Sequence, residues 1–318
     1  MPWSSLSHPI LALAPMDDVT DVVFRDIVAQ EGRPDIFFTE FTNCDALFSA
    51  GREKHMHRLR FTENHRPIIA QIWGPNPENY YKTAKLLVTL GFDGIDINMG
   101  CPQKNIIKSG SCSVLIKNRS LAQEIIAATK EGAADLPVSV KTRLGYDTIQ
   151  TEEWAGFLLE QDIAALTMHG RTVAEMSNVP AHWDEIQKVV KVRDVMKKPT
   201  VVLGNGDVES LEQAHRYVEQ YGVDGVMVGR GIFKNLWLFN PDHRDTSAAY
   251  RMQVALRHIE GWEREWGMSR NFEILKKFLK IYISDFRGAA AMRAQLMAVH
   301  SIEELKQQLR TLQEKEYT

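Results

Sequence analysis

Cysteine is scarce in this chain, with three among 318 residues, and Cys44, Cys101 and Cys112 form no CxxC spacing. That excludes a disulfide framework and a structural zinc site, so no metal is expected and the three thiols are expected to be free. No apolar run approaches the ~20 residues of a membrane span. The opening MPWSSLSHPILALAPM has no basic segment, and its apolar stretch Ile10–Ala14 is shorter than the ~7–15 residues of a secretory core. A cytoplasmic location is therefore expected, with no membrane association. Net charge is also small, formally −3, which argues against a polycation built to coat nucleic acid. Low-complexity segments are absent, and no GxGxxG follows the first apolar run, which disfavours a doubly wound dinucleotide-binding sheet.

What the chain does contain is a recurring unit. Eight short apolar runs appear in order: ILALA at 10, DIFFTE at 35, PIIAQI at 67, DGIDINM at 93, PVSVK at 137, AALTMHG at 164, TVVLGNG at 199 and DGVMVGR at 224. Continuous apolar runs suit strands buried on both faces. Between several of them, at 78–90, 120–132, 151–161 and 209–221, apolar residues recur at three- and four-residue spacing, the signature of helical crossovers. Eight such units predict an α/β TIM (β/α)8 barrel over residues 1–240. After a polar, proline-containing stretch the period becomes wholly helical, which predicts a C-terminal all-helical domain over 245–318.

In such barrels the chemistry sits where strands end, so the residues closing each run are the candidates. They are Pro15, Met16 and Asp17; Gln71; Asn98 and then Cys101; Lys141 and Arg143; His169 and Arg171; Asn205, Gly206 and Asp207; and Gly229 with Arg230. Glycines after the last two strands let backbone N–H groups approach an anion, as at the usual phosphate site of the fold. Gln71, Lys141 and His169 offer an amide, a cation and an imidazole, donors suited to the electron-rich edge of a flavin, so FMN is the expected cofactor. A Schiff-base role for Lys141 is the competing barrel chemistry, but it leaves Asn98 and Cys101 unused.

These residues also carry a family resemblance. APM at 14–16, Gln71, NMGCP at 98–102 with Lys104 and Gly110, VKTRLG at 140–145, HGRT at 169–172, NGD at 205–207 and VGRG at 228–231 resemble the tRNA-dihydrouridine synthases. The helical stretch Arg270–Met297 is similar to that family's C-terminal domain. The resemblance implies that Pro15, Met16, Asp17, Gln71, Lys141, His169, Asn205, Gly206, Asp207, Gly229 and Arg230 hold FMN. It further implies that Cys101 is the catalytic proton donor and that Asn98 and Arg143 contact the uracil. NADPH is the implied electron donor and tRNA the implied partner, with no obligate protein partner. One departure stands out: glycine and alanine commonly follow Gly110 in the family, whereas this chain has Ser111, Cys112, Ser113 and Val114.

The chemistry agrees with that reading. Saturating C5=C6 of uridine delivers a hydride to C6 and leaves an enolate that needs a proton at C5. A thiol with a pKa near 8.5 is mostly protonated at neutral pH yet acidic enough to give that proton. A uracil in folded RNA must be extruded to reach such a pocket, so the enzyme must also grip the surrounding RNA. Residues 241–318 carry 13 Lys/Arg against 11 Asp/Glu and the remainder 25 against 30, so the positive balance lies in the tail. Lys276 and Lys280 are the expected tRNA contacts there, and Arg171 a further one at the rim. A flavin barrel acting on a free pyrimidine, like a dihydroorotate dehydrogenase, and a non-catalytic RNA-binding barrel are the alternatives. Cys112 reads as a buried structural residue without a part in the reaction.

Overall fold

The computed structural model describes residues 3, 6–243, 245 and 247–316, with side chains to 314, so the outer limits of both expected domains, at 1 and 318, lie outside the described residues. It separates into two compact units. The first comprises the residues up to Val22 together with Pro34–Gly229.

Among its described residues that unit has nine strands: β1 (Ile10–Leu13), β2 (Phe37–Phe38), β3 (Thr42–Asn43), β4 (Ile68–Trp73), β5 (Gly94–Met99), β6 (Val138–Arg143), β7 (Ala165–His169), β8 (Val201–Asn205) and β9 (Gly225–Val228). All pairings are parallel, in the order β1-β9-β8-β7-β6-β5-β4-β2, with β3 as an extra partner of β4. The sheet closes at β1. Ile36 N–H donates to the Leu11 carbonyl and Leu13 N–H to the Ile36 carbonyl, at 3.3 and 3.2 Å, while β9 pairs along the other edge of β1. The expected eight-stranded barrel is thus present, and β3 is an addition that its two polar residues gave no reason to expect.

Carboxylates repeat at the strand entrances. Asp35 accepts the Leu11 N–H, Asp93 the Ile68 N–H and Asp224 the Val202 N–H, at 2.8, 2.9 and 2.7 Å. Each satisfies a first backbone donor that the neighbouring strand leaves open. Asp93 and Asp224 are followed by glycine in both DG-initiated runs, and at Gly225 the reason is steric. A Cβ there would lie 2.1 Å from the Ile10 carbonyl oxygen across the β1–β9 pair. Above this level Ile10, Ala12, Ile36, Phe38, Ile69, Ala165, Leu203 and Met227 fill the interior.

The crossover helices form where capping residues allow. Pro77–Thr89 starts with Asn76 accepting the Glu78 N–H at 3.0 Å and proline in its first turn. Leu211–Tyr221 is capped by Ser210 and ends on Gly222 in the left-handed region. Trp183–Val195 supplies a further crossover that the periodicity did not single out.

The second unit is helical: Val23–Arg33 together with the chain from Arg230 onward. Its longest helix is Ala248–Trp266. Residues 23–33 fall inside the expected 1–240 segment, yet they join this unit because their side chains are buried there. Phe24 packs on His258 and Phe278, with ring centroids 5.7 and 5.0 Å apart. The Glu31 carboxylate accepts from Trp237 Nε1 at 2.7 Å and from the Tyr250 hydroxyl at 3.0 Å, and also pairs with Arg257.

Lys276, expected to contact RNA, is a buried residue of this unit. Its ammonium donates to the carbonyls of Met297 and Val299 at 3.0 and 2.7 Å and pairs with Glu273. A lysine whose three N–H groups are occupied in this way staples helix ends and has none to offer a phosphate. Lys280 and Arg287 are exposed. Among the described residues no helix is long and apolar enough to cross a membrane.

Replacing Gly225 by alanine is expected to destabilise the protein by about 3 kcal/mol, because the strands must part to admit the methyl group. Gly51→Ala meets only the Ser49 hydroxyl at 3.4 Å and should change stability by less than about 0.5 kcal/mol. Chemical denaturation of the two variants checks the difference, and equal midpoints would contradict it.

Candidate active site

Side chains alternate across a strand, and paired positions in a parallel sheet point the same way. The register pairs Gln71 with Asp96, Asn98 with Lys141, Arg143 with His169, and His169 with Asn205. Polar groups from five consecutive strands therefore share one face, above the apolar filling of the barrel.

Lys141 donates to Asn205 Oδ1 at 3.0 Å, and Asn205 Nδ2 donates in turn to the Met227 carbonyl at 2.7 Å. Enclosure, with help from the nearby Arg143 charge, brings the Lys141 pKa down to about 8. Asp96 is fully buried, and burial raises its carboxyl to about 6 against the opposing bonds from Ser139 and Gln71. Gln71 Nε2 donates to Asp96 at 2.7 Å, and Asn98 Nδ2 donates to Gln71 Oε1 at 3.0 Å. Sequence reasoning missed Asp96, although a carboxylate two residues before Asn98 inside an apolar strand was a usable signal.

Asn98 uses its other end on the loop that follows. Its Oδ1 accepts the N–H groups of Gly100 and Cys101, both at 3.0 Å. Arg143 holds the same loop from the neighbouring strand. Nε donates to the Gly100 carbonyl at 2.8 Å and Nη1 to the carbonyls of Thr172 and Met176 at 3.0 and 2.9 Å. At 6% exposed, Arg143 is a loop clamp in this conformation.

Arg171 is buried as well. It donates to the Val179 carbonyl at 2.5 Å, to His169 Nε2 at 3.2 Å and to the Asp207 carboxylate. Its side chain serves the loop and the imidazole, which corrects its expected role as an RNA contact at the rim. Since arginine only donates, His169 Nε2 is the accepting nitrogen of that ring.

Around β1, Thr20 Oγ1 accepts the Met16 N–H at 2.9 Å, and Pro15, Met16 and Asp17 are half-buried. Asp17, Asp18 and Glu40 come close enough to suggest a metal cluster. Arg58 supplies the positive charge instead, pairing with Asp17 and with Glu40 at 3.1 Å. Gly206 has φ +131°, and a Cβ there would meet Ala181 Cβ at 2.7 Å, so only glycine suits that bend. A Cβ on Gly229 would meet only Ala14, at 3.8 Å, which leaves the backbone approachable. Arg230, next in sequence, is exposed and opens a short helix of the second unit.

Cys101 is 9% exposed and packs with Phe41, Ile106 and Cys112, backed by Trp73. The Cys112 thiol is its largest influence: a hydrogen bond from it lowers the Cys101 pKa, burial opposes this, and the Gln103 N–H and the Arg143 charge add to the lowering. Burial pushes the Cys112 thiol itself well up, so it remains the donor. Cys112 is fully buried, as the sequence suggested, and shares its apolar cluster with Cys101. A backbone turn with φ +56° at Cys112 brings it back to Cys101 across eleven positions.

Replacing Cys112 with alanine should therefore raise the pKa of Cys101 and slow its alkylation by iodoacetamide at neutral pH, since only the thiolate reacts. Mass spectrometry of the Cys101 peptide against pH measures this. An unmoved profile would remove Cys112 from the account.

Comparison with known proteins agrees with this geometry. The family described as "Dihydrouridine synthase (Dus)" matches residues 12–316. The chain is 44% identical over 309 residues to "Probable tRNA-dihydrouridine synthase 2" of Bacillus subtilis (strain 168), covering 96% of this chain and 94% of that one. It is 44% identical over 307 residues to a "Probable tRNA-dihydrouridine synthase" of Staphylococcus aureus (strain COL), covering 96% and 93%. Among solved structures, a morphinone reductase variant in complex with tetrahydroNAD superposes with a TM-score of 0.51 at 14% identity, over 74% of this chain and 86% of that one, a likeness of fold. With a barrel rim that gathers the motif residues and a family match running through both units, this chain belongs to the dihydrouridine synthase family.

Proposed function

We propose that this protein reduces uridines of tRNA to 5,6-dihydrouridine with FMN as its bound cofactor and NADPH as the source of electrons, in the cytoplasm. The observation that carries the reading is Cys101, held at the barrel mouth by Asn98 and Arg143 beside a row of flavin-suited donors.

The residues fit a flavin mononucleotide. Lys141 is an enclosed ammonium with Asn205 as an acceptor, a donor suited to an electron-rich ring. Gln71 and His169 extend that donor set, with Pro15, Met16 and Asp17 on the β1 side. Gly206 and Gly229 leave the backbone open for a phosphate, flanked by Asn205 and Asp207, with Arg230 a further cofactor contact that the family resemblance implies. Bound there, the flavin supplies the hydride that C6 of the uracil receives.

The protein's own task is the proton. Cys101 Sγ holds it and gives it up at C5, and the Cys112 hydrogen bond, the Gln103 N–H and the Arg143 charge stabilise the thiolate that remains. Asn98 and Arg143 bound the uracil pocket through the loop they fix. A base reaches this depth only when swung out of its RNA stack. The RNA around it is held by the helical unit, where the exposed Lys280 and Arg287 replace Lys276 as the phosphate contacts.

Cys101→Ala is expected to retain flavin and its reduction by NADPH, while dihydrouridine formation falls at least about 10²-fold, the worth of a positioned general acid. Single-turnover reaction of the reduced enzyme with tRNA tests it, and a wild-type rate in the variant would refute the proton-donor role. In the native enzyme the same rate should decline as pH rises through a Cys101 pKa below its ordinary 9.0, because the acid works only while protonated.

Lys280→Glu combined with Arg287→Glu should weaken tRNA binding and flatten its salt dependence by about two counterions, leaving flavin content unchanged. An identical salt slope for wild type and variant would move the RNA surface elsewhere.

A further inference from the structure

We infer that Asp96 is a positioning residue: its buried carboxylate anchors the inner end of a row of side-chain amides that ends on the backbone of Cys101. The inference rests on the reading of Cys101 as the proton donor only for its functional consequence. The row itself is a matter of hydrogen-bond polarity.

A carboxylate offers only acceptors, whereas a primary amide has a donating end and an accepting end. Asp96 lies between Ser139 and Gln71 in the register of β4, β5 and β6. Its Oδ1 accepts the Ser139 hydroxyl at 2.6 Å and its Oδ2 accepts Gln71 Nε2 at 2.7 Å. Gln71 is fully buried, so with its donor end committed its Oε1 faces Asn98. Asn98 must answer with Nδ2, at 3.0 Å, which leaves Oδ1 as the acceptor for the N–H groups of Gly100 and Cys101. Turn either amide over and two donors or two acceptors meet in a dry interior, where an unmade bond is costly. The Gly100 and Cys101 N–H groups, which can only donate, impose the same sense from the other end, and Asp96 supplies the acceptor that anchors the row inside the barrel. The nearby charged group is Lys141, whose attraction favours the ionised form of Asp96 against burial. Arg143 lies on the Lys141 side of the network and lowers the charge preference of that lysine.

The experiment exchanges the polarity of the row. Asn98→Asp alone surrounds Gln71 with two carboxylates although it has one donating end. It should lower the melting temperature at neutral pH, with the deficit shrinking in acid as the surplus carboxylate takes up a proton. Asp96→Asn combined with Asn98→Asp reverses the bonds on both sides of Gln71 while leaving each one made: the amide introduced at position 96 donates to Gln71, and Gln71 donates to the carboxylate introduced at position 98. The double variant should recover the melting temperature lost by Asn98→Asp alone. If Asn98→Asp does not fold, recovery of folded protein in the double variant is the same result. A double variant no better than Asn98→Asp would overturn the inference.

The functional arm uses Asp96→Leu, which removes the acceptor while keeping the branched shape of the side chain. Hydrogen exchange in the peptide containing Gly100 and Cys101 should accelerate, and kcat for dihydrouridine formation should fall about 10²-fold with KM for tRNA little changed, as for a displaced catalytic group. Faster exchange with unaltered kcat would leave the amide row standing and count against Cys101 as proton donor. Unaltered exchange in a folded Asp96→Leu variant would count against Asp96.

Discussion

Closure of the barrel at β1 is the constraint on which the rest depends. Four residues, Ile10–Leu13, carry backbone bonds on both edges, to β9 on one side and to Asp35 and Ile36 on the other. With the edges joined, strand alternation leaves no freedom over which residues face inward. The lower positions must be apolar and small enough to fill the space, and the upper ones converge whether or not they are apolar. Gln71, Asp96, Asn98, Lys141, His169 and Asn205 meet because five strands share one register. Asp35, Asp93 and Asp224 secure that register from the strand entrances, each by accepting a backbone donor near the start of a neighbouring strand.

Much of this was legible in the sequence because it follows from periodicity and strand ends. Every apolar run became a strand, and Gln71, Asn98, Lys141, His169 and Asn205, which close five of them, share one face of the sheet. What stayed hidden came from contacts between distant positions. No local pattern announces that Glu31 will accept from Trp237 and Tyr250, so the placement of residues 23–33 with the C-terminal helices could not be read. An amphipathic helix shows which face is buried but does not single out the lysine that will cap carbonyls from inside, so Lys276 resembled Lys280 until Met297 and Val299 were seen beneath it. No local pattern shows either that Arg143 will also clamp the carbonyls of Gly100, Thr172 and Met176, or that Arg171 will be spent on the Val179 carbonyl, His169 and Asp207. Cys112 is buried as expected, and only its return to the cluster around Cys101, at a left-handed residue that is not glycine, had no local signal.

The polar and thiol side chains at 111–113, where the resemblance implies glycine and alanine, gain a physical meaning from that last contact. In a pocket lined by Phe41, Ile106 and Trp73, an isolated thiol would be harder to ionise than in water, and a proton donor must accept the charge left behind. The Cys112 thiol, packed in the same cluster, offsets the apolar lining without adding a formal charge. The buried Cys112 is suited to this because its own high pKa keeps its proton in place while Cys101 changes state.

Two shifts at the centre of the barrel have opposite signs and a common consequence. Asp96 titrates at about 6 in the fold against an ordinary 3.8, so the folded state loses stability as pH rises through that interval. Lys141 titrates at about 8 against an ordinary 10.5, so the folded state loses stability as pH falls from the upper value to the lower. Near neutrality both groups are charged and both are held at a cost, their mutual attraction recovering only part of it. Each is nevertheless committed to a directional bond, Asp96 to the amide row and Lys141 to Asn205. A site that keeps an enclosed ammonium at the edge of its charge range favours a ligand with an electron-rich edge, since such a ligand relieves the desolvation that depresses Lys141.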